Sequence, residues 1–226
     1  MFIVAINFDS IFFTYLSMQQ GMGRSFTEGF VMQFWGNMLI FLLFVTPAVT
    51  MRLLAEEQKS GTIQLLYTSP VRIGEITIAK FLAGLLFVYA MLAITLIFPL
   101  LMSLFGGLNW TPIIGAYTGL AFVVGCFVSV GVFFSAVTEN QIIAFILAEF
   151  TNLAFWLVAW IGQNTDVSIA DIELSQVFEH LSVLLHYVEF ARGIVETDRI
   201  IYLISFIGFW VFCTYLVLES KRWNSN

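Results

Sequence analysis

The chain has 226 residues, of which 60% are hydrophobic, 17% aromatic and only 11% charged, with a formal net charge of −6. Soluble domains carry about a quarter charged residues, and an acidic balance argues against nucleic acid as a partner. The apolar residues fall in blocks near bilayer length, without the short alternating segments of a transmembrane barrel. The expected fold is therefore all-α, a polytopic membrane protein forming one transmembrane domain over residues 1–226 with six spans.

Residues 1–16 are apolar with Asn7 and Asp9 inside them. As a helix they reach about 24 Å, short of the roughly 30 Å hydrocarbon core. No Lys or Arg precedes Arg24, so the segment is a poor signal peptide and reads as the remainder of a first span over 1–19. A polar loop with Gly21, Gly23 and Arg24 follows. Span two covers 30–51, and Pro47 should bend its end by removing a helix hydrogen bond.

Residues 52–80 are the long segment rich in charge of both signs, with Arg52, Glu56, Glu57, Lys59, Arg72, Glu75 and Lys80 between two apolar blocks. Such a stretch must lie in water or against another polar protein. We read this stretch as a contact surface that receives force from a cytoplasmic partner, with 52–75 as its coupling region. Gly61 is the expected break, residues 62–68 a short helix carrying Ile63, Leu65 and Leu66, and Ser69-Pro70 its stop. Lys80 is expected to snorkel to the interface.

Span three covers 76–105 with Pro99 inside, long enough to tilt or kink. Residues 106–111 form a tight, uncharged turn containing the interfacial Trp110. Span four covers 112–137, where Gly115 and Gly119 permit close helix approach, as glycines commonly do in membrane helices. Span five covers 142–161. It contains Glu149, a costly charge, with Asn152 one turn on. This pair reads either as a polar spot on a cargo path or subunit interface, or as a hydrogen-bonded carboxyl facing the bundle. Residues 162–198 form an acidic segment whose apolar part, 174–187, suggests helices lying on or dipping into the interface. Span six covers 199–218, closed by Lys221-Arg222-Trp223.

Basic residues set the orientation. Arg52, Lys59, Arg72, Lys80, Lys221 and Arg222 share one side, and Arg24, Arg192 and Arg199 the other. The richer side is expected to be cytoplasmic, with both termini and the 52–80 stretch, and 162–198 outside. Cys126 and Cys213 fall inside apolar blocks and give no disulfide frame. No glycine-rich phosphate loop, HExxH or Gly-x-Ser-x-Gly is present, so the chain is expected to be neither an ATPase nor another enzyme. No metal site is expected, since His180, His186 and Glu189 are poorly spaced for one helix face.

The run Pro47-Ala-Val-Thr-Met-Arg-Leu-Leu-Ala-Glu-Glu57, then Ser60-Gly-Thr62, Leu65-Leu66 and Ser69-Pro70-Val71, resembles the permease subunits of ATP-binding-cassette exporters of the second type. The subgroup it resembles most is linked to gliding motility and copper-enzyme maturation. Lys80-Phe-Leu-Ala83, Ser135 to Asn140-Gln141, Leu181 to His186, Phe190-Ala-Arg-Gly193 and Lys221-Arg-Trp223 extend the likeness over nearly the whole chain.

The resemblance implies a half-transporter in the bacterial inner membrane. Two permease subunits, identical or a related pair, each sit on a cytoplasmic ATPase subunit that binds ATP and Mg, so this chain itself needs no cofactor. A coupling helix between spans two and three docks on the ATPase. Carried over, it involves Glu56, Glu57, Gly61, Thr62, Leu65, Leu66 and Pro70. Short outer helices before the last span correspond to 174–194. Family members begin with a basic amphipathic helix, whereas this sequence starts inside span one, which implies a trimmed start or one lying upstream. The alternatives are a membrane anchor of an ATPase-driven machine such as a gliding apparatus, and a secondary transporter. The latter would want internal inverted repeats, which the sequence does not show.

Overall fold

Where lipid replaces water, a chain must satisfy its backbone polar groups internally, and a long apolar block does so as a helix. The computed structural model describes residues 26–68, 71–103, 110–164, 168–169, 172–173, 187, 190 and 197–224. In chain order these form α1 (Phe26–Thr50), α2 (Arg52–Lys59), α3 (Ile63–Thr68), α4 (Ile73–Thr95), α5 (Ile97–Ser103), α6 (Trp110–Val137), α7 (Gln141–Asn164), β1 (Ser168–Ile169), β2 (Ile172–Glu173) and α8 (Thr197–Asn224). The strands make a two-residue antiparallel ladder, Ser168 opposite Glu173 and Ile169 opposite Ile172, a small exception to the all-α expectation. The expected first span over 1–19, the Pro70 stop, the turn at 106–109 and most of the outer segment 174–194 lie outside the described residues.

Among the described residues, four helical stretches are long and apolar enough to cross a membrane: Gly36–Lys59, Ile73–Leu101, Trp110–Val137 and Thr197–Trp223. Helix α7 adds a shorter apolar stretch, Gln141–Leu157. They are organised around α6, which packs against α8, α1, α7 and α4. Its most apolar window is 72% buried inside the protein, against 11% for α8 and 22% for α4. The outer helices therefore present their apolar residues outward, as Phe150, Leu86 and Phe209 do.

Small residues put α6 at the centre, because they let neighbouring backbones come close. A Cβ at Gly131 would stand 2.8 Å from Thr50 Cβ and 2.0 Å from its hydroxyl, so that glycine seats the end of α1. A Cβ at Gly119 would stand 2.7 Å from Phe190 Cβ. Gly115 is buried as well. The close approach that Gly119 permits is thus spent inside this chain, against Phe190 and Tyr187, and not on an outward face.

The third span is interrupted. Its start is sharper than the sequence reading had it: Arg72 is extended, and its N–H donates to Glu75 Oε2 at 3.3 Å, the back-bond of a capping box. Helix α4 then ends at Thr95, and α5 resumes after Leu96. Pro99 is the cause. It lacks the N–H that Thr95 C=O would accept, and its ring crowds that carbonyl. Leu96 N–H falls back to Ala93 O at 3.2 Å. The Thr95 hydroxyl lies 3.0 Å from Tyr117 Oη on α6, which ties the break to the central helix.

Candidate functional site

Helix α1 does not stop in water. It passes through Met51 directly into α2, whose Leu54 and Ala55 are buried while Arg52, Glu56 and Lys59 are exposed. The first N–H groups of any helix lack intrahelical partners, and α2 has no side-chain cap of its own. Ser135, near the end of α6, takes that role. Its hydroxyl accepts from Leu54 N–H and Ala55 N–H, both at 3.0 Å, and donates to Met51 O at 3.0 Å. A hydroxyl inserted at a helical ladder is one of the identifiable causes of a sharp bend, and Pro47 lies one turn upstream.

The same junction caps α6, whose last carbonyls are also without intrahelical partners. Gln58 Nε2 donates to Ala136 O at 2.8 Å and, more weakly, to Ser135 O at 3.4 Å. Lys221 on α8 donates to Ala136 O at 2.9 Å, Val137 O at 3.1 Å and Gln58 Oε1 at 2.5 Å. A cation at a helix C-terminus also complements the helix dipole. On the other side of α2, Glu57 forms an ion pair with Lys80 of α4, so Lys80 does more than snorkel. Segment α2 is thereby fixed to α6, α8 and α4 at once.

Beyond this clamp the chain turns at Gly61, whose φ of +74° is the left-handed conformation that glycine alone adopts cheaply. Ser60 and Thr62 hydroxyls meet at 2.9 Å, and the Thr62 hydroxyl donates to Glu57 O at 3.3 Å. The turn delivers α3 with Ile63 buried, Leu66 half-buried and Gln64 exposed. Of the residues singled out from sequence, Glu57, Gly61 and Thr62 gather here. Glu56 points outward, Leu65 lies in α3, and Pro70 is outside the described residues.

The Glu149–Asn152 pair is separate, on α7. Asn152 is 1% exposed. Both of its side-chain polar atoms, and both Glu149 carboxylate oxygens, are buried without a hydrogen-bond partner. Ala144, Ala148 and Asn152 form the buried stripe of α7, the helix that packs on α6 and α1. Such unpartnered groups are uncommon in native structures and carry a desolvation cost.

Sequence reasoning missed Gln58, and took Ser135 and Lys221 as part of the family likeness and, for Lys221, of the charge asymmetry, without giving either a contact to make. Their local signal is faint, because their partners lie 77 to 163 residues away. Among the described residues no group of three or more His, Cys, Asp or Glu could hold a metal, and His180, His186 and Glu189 fall outside them.

A family model described as ABC-2 family transporter protein matches residues 1–155. Neither a curated protein nor a solved structure matches the chain.

Proposed function

The chain belongs to the ABC-2 transporter family, and on that premise we propose that it is a permease subunit that couples ATP hydrolysis on a separate cytoplasmic ATPase to export of a substrate. In this reading α3 is the coupling helix, seated in a groove of the ATPase, and α2 is the shaft that carries its displacement into the bundle. The observation that carries it is the clamp of α2 to α6, α8 and α4 through Ser135, Gln58, Lys221 and Glu57–Lys80. A lever must be stiff where it is anchored and exposed where it is pushed; α2 is anchored by these contacts, and Gly61, Thr62 and Gln64 beyond it are exposed.

The finer reading has two permease subunits on two ATPase subunits in a bacterial inner membrane, with both termini and α3 cytoplasmic. ATP and Mg belong to the ATPase. The sequence likeness supports the gliding-motility and copper-maturation subgroup. Glu149 and Asn152 would then give a polar point along the cargo path or between subunits.

The deciding experiment changes Leu65 and Leu66 together to Ser. Burying each leucine in a groove would contribute about 1.5–3 kcal/mol, so the variant should lose ATPase co-purification or uncouple hydrolysis from transport. The spans are untouched, so permease levels should stay normal. Normal ATPase binding together with normal transport would show that force enters elsewhere.

A further inference from the structure

At the same end of the bundle as the α2 clamp, a cleft of about 460 Å³ opens between the start of α4 and the end of α8. Each helix brings one guanidinium and one carboxylate to it: Arg72 and Glu75 from α4, Glu219 and Arg222 from α8. Ile73, Ile78 and Tyr215 complete the wall. The four charges sum to zero. Each carboxylate is engaged in part at its own helix, and Glu219 also meets the Tyr215 hydroxyl. Glu75 Oε2 accepts from Arg72 N–H at 3.3 Å, and Glu219 Oε1 accepts from Trp223 Nε1 at 3.4 Å.

Away from this end the same two helices turn apolar side chains outward: Leu82 and Leu86 on α4, Phe212 and Leu216 on α8, each more than 40% exposed. The cleft thus sits where the membrane-spanning apolar surface gives way to charge, the level of lipid headgroups. Guanidinium is matched in shape and charge to phosphate. A carboxylate beside it is matched to a primary ammonium, which has N–H groups to donate. A plain anionic headgroup would meet two repelling carboxylates, and a quaternary ammonium has no N–H to offer them.

We propose that this cleft holds the headgroup of an ethanolamine phospholipid. Arg72 and Arg222 take the phosphate, Glu75 and Glu219 take the ammonium, and the acyl chains follow the outward faces of α4 and α8. The inference needs only that the chain is embedded in a membrane, and it stands apart from the identity of the cargo.

The test is native mass spectrometry of the solubilised full-length permease. It is titrated with phosphatidylethanolamine, phosphatidylcholine and phosphatidylglycerol of matched acyl chains, and separately with soluble O-phosphoethanolamine. Phosphatidylethanolamine should bind several-fold more tightly than the other two lipids. Arg72→Gln with Arg222→Gln should remove that binding, while Glu219→Gln should narrow the gap between ethanolamine and choline lipids. The Arg72→Lys, Arg222→Lys pair keeps the charge and should retain part of the binding, which separates lost recognition from misfolding. Equal binding of the three lipids, a lead for phosphatidylglycerol, or no effect of the double glutamine variant would overturn the proposal. Displacement of the lipid by O-phosphoethanolamine at equal concentration would also overturn it, by assigning the cleft to a soluble ligand.

Discussion

Ser135 is one hydroxyl serving three backbone groups of another helix. Changing it to Ala leaves buried donors without this partner, at a cost of about 1–3 kcal/mol. We expect Ser135→Ala to lower the thermal unfolding temperature of the solubilised permease and to reduce transport per ATP hydrolysed. A variant with the stability and coupling of the parent would show that the hydroxyl is dispensable to the clamp.

Glu149 poses the opposite case at the same scale, because its carboxylate oxygens lack partners. Glu149→Leu removes the desolvation cost and should raise thermal stability, while lowering transport if the carboxyl serves the path. Glu149→Gln should assemble normally and transport with a smaller defect. Unchanged transport in both variants would reduce Glu149 to a tolerated carboxyl. The contrast with Ser135 gives each residue its own signature, stability and coupling falling together in one and moving apart in the other.

Among the elements, α6 is set by its glycines. Gly131 has Thr50 within contact distance of any added methyl group, whereas a Cβ at Gly208 on α8 would meet nothing within 4 Å. Gly131→Ala should therefore strain the α1–α6 contact, costing about 1–3 kcal/mol as overpacking does. Gly208→Ala should be neutral or mildly stabilising, since alanine is the better helix former. Thermal unfolding of the two variants side by side checks the pair, and equal effects would mean that the Gly131 contact can yield.

What the sequence made visible at this scale is what local chemistry writes. Gly61 marks a turn because a positive φ favours glycine, whereas the helix start at Arg72 carried no legible cap, since arginine is not among the residues that usually cap a helix. Pro99 announced a kink without saying where the helix would part, which proved to be at Leu96, ahead of the proline. The clamp was hidden because no spacing rule relates Ser135 to Leu54, or Lys221 to Gln58. Lys80 looked like a membrane-edge lysine for the same reason, since its Glu57 partner lies across a turn and a helix. The Glu149–Asn152 pair was legible as an anomaly, a charge amid apolar residues, but its lack of partners is a property of packing.

For the whole molecule, the basic-residue asymmetry predicts opposite sides for α3 and the 162–198 segment. In a cysteine-free background, single cysteines at Gln64 and Ser175 should label from opposite faces of the membrane. The native mass of the solubilised complex should correspond to two permease and two ATPase subunits. Labelling of both positions from outside, or a monomer that never retains an ATPase, would contradict this arrangement.

The Lys221 cap also dictates an order of events during synthesis. Gln58 and its Lys221 partner are 163 residues apart, a separation that takes about 8–30 s to translate at 5–20 residues per second. Throughout that interval α2 and α3 are already made, yet lack the bond that joins them to the last span. Segment α2 therefore gains its last anchor only after α8 has been inserted, and until then it is held through Ser135 of α6 and Lys80 of α4. One lysine thus closes the junction last, joining the final span to a segment made early in synthesis.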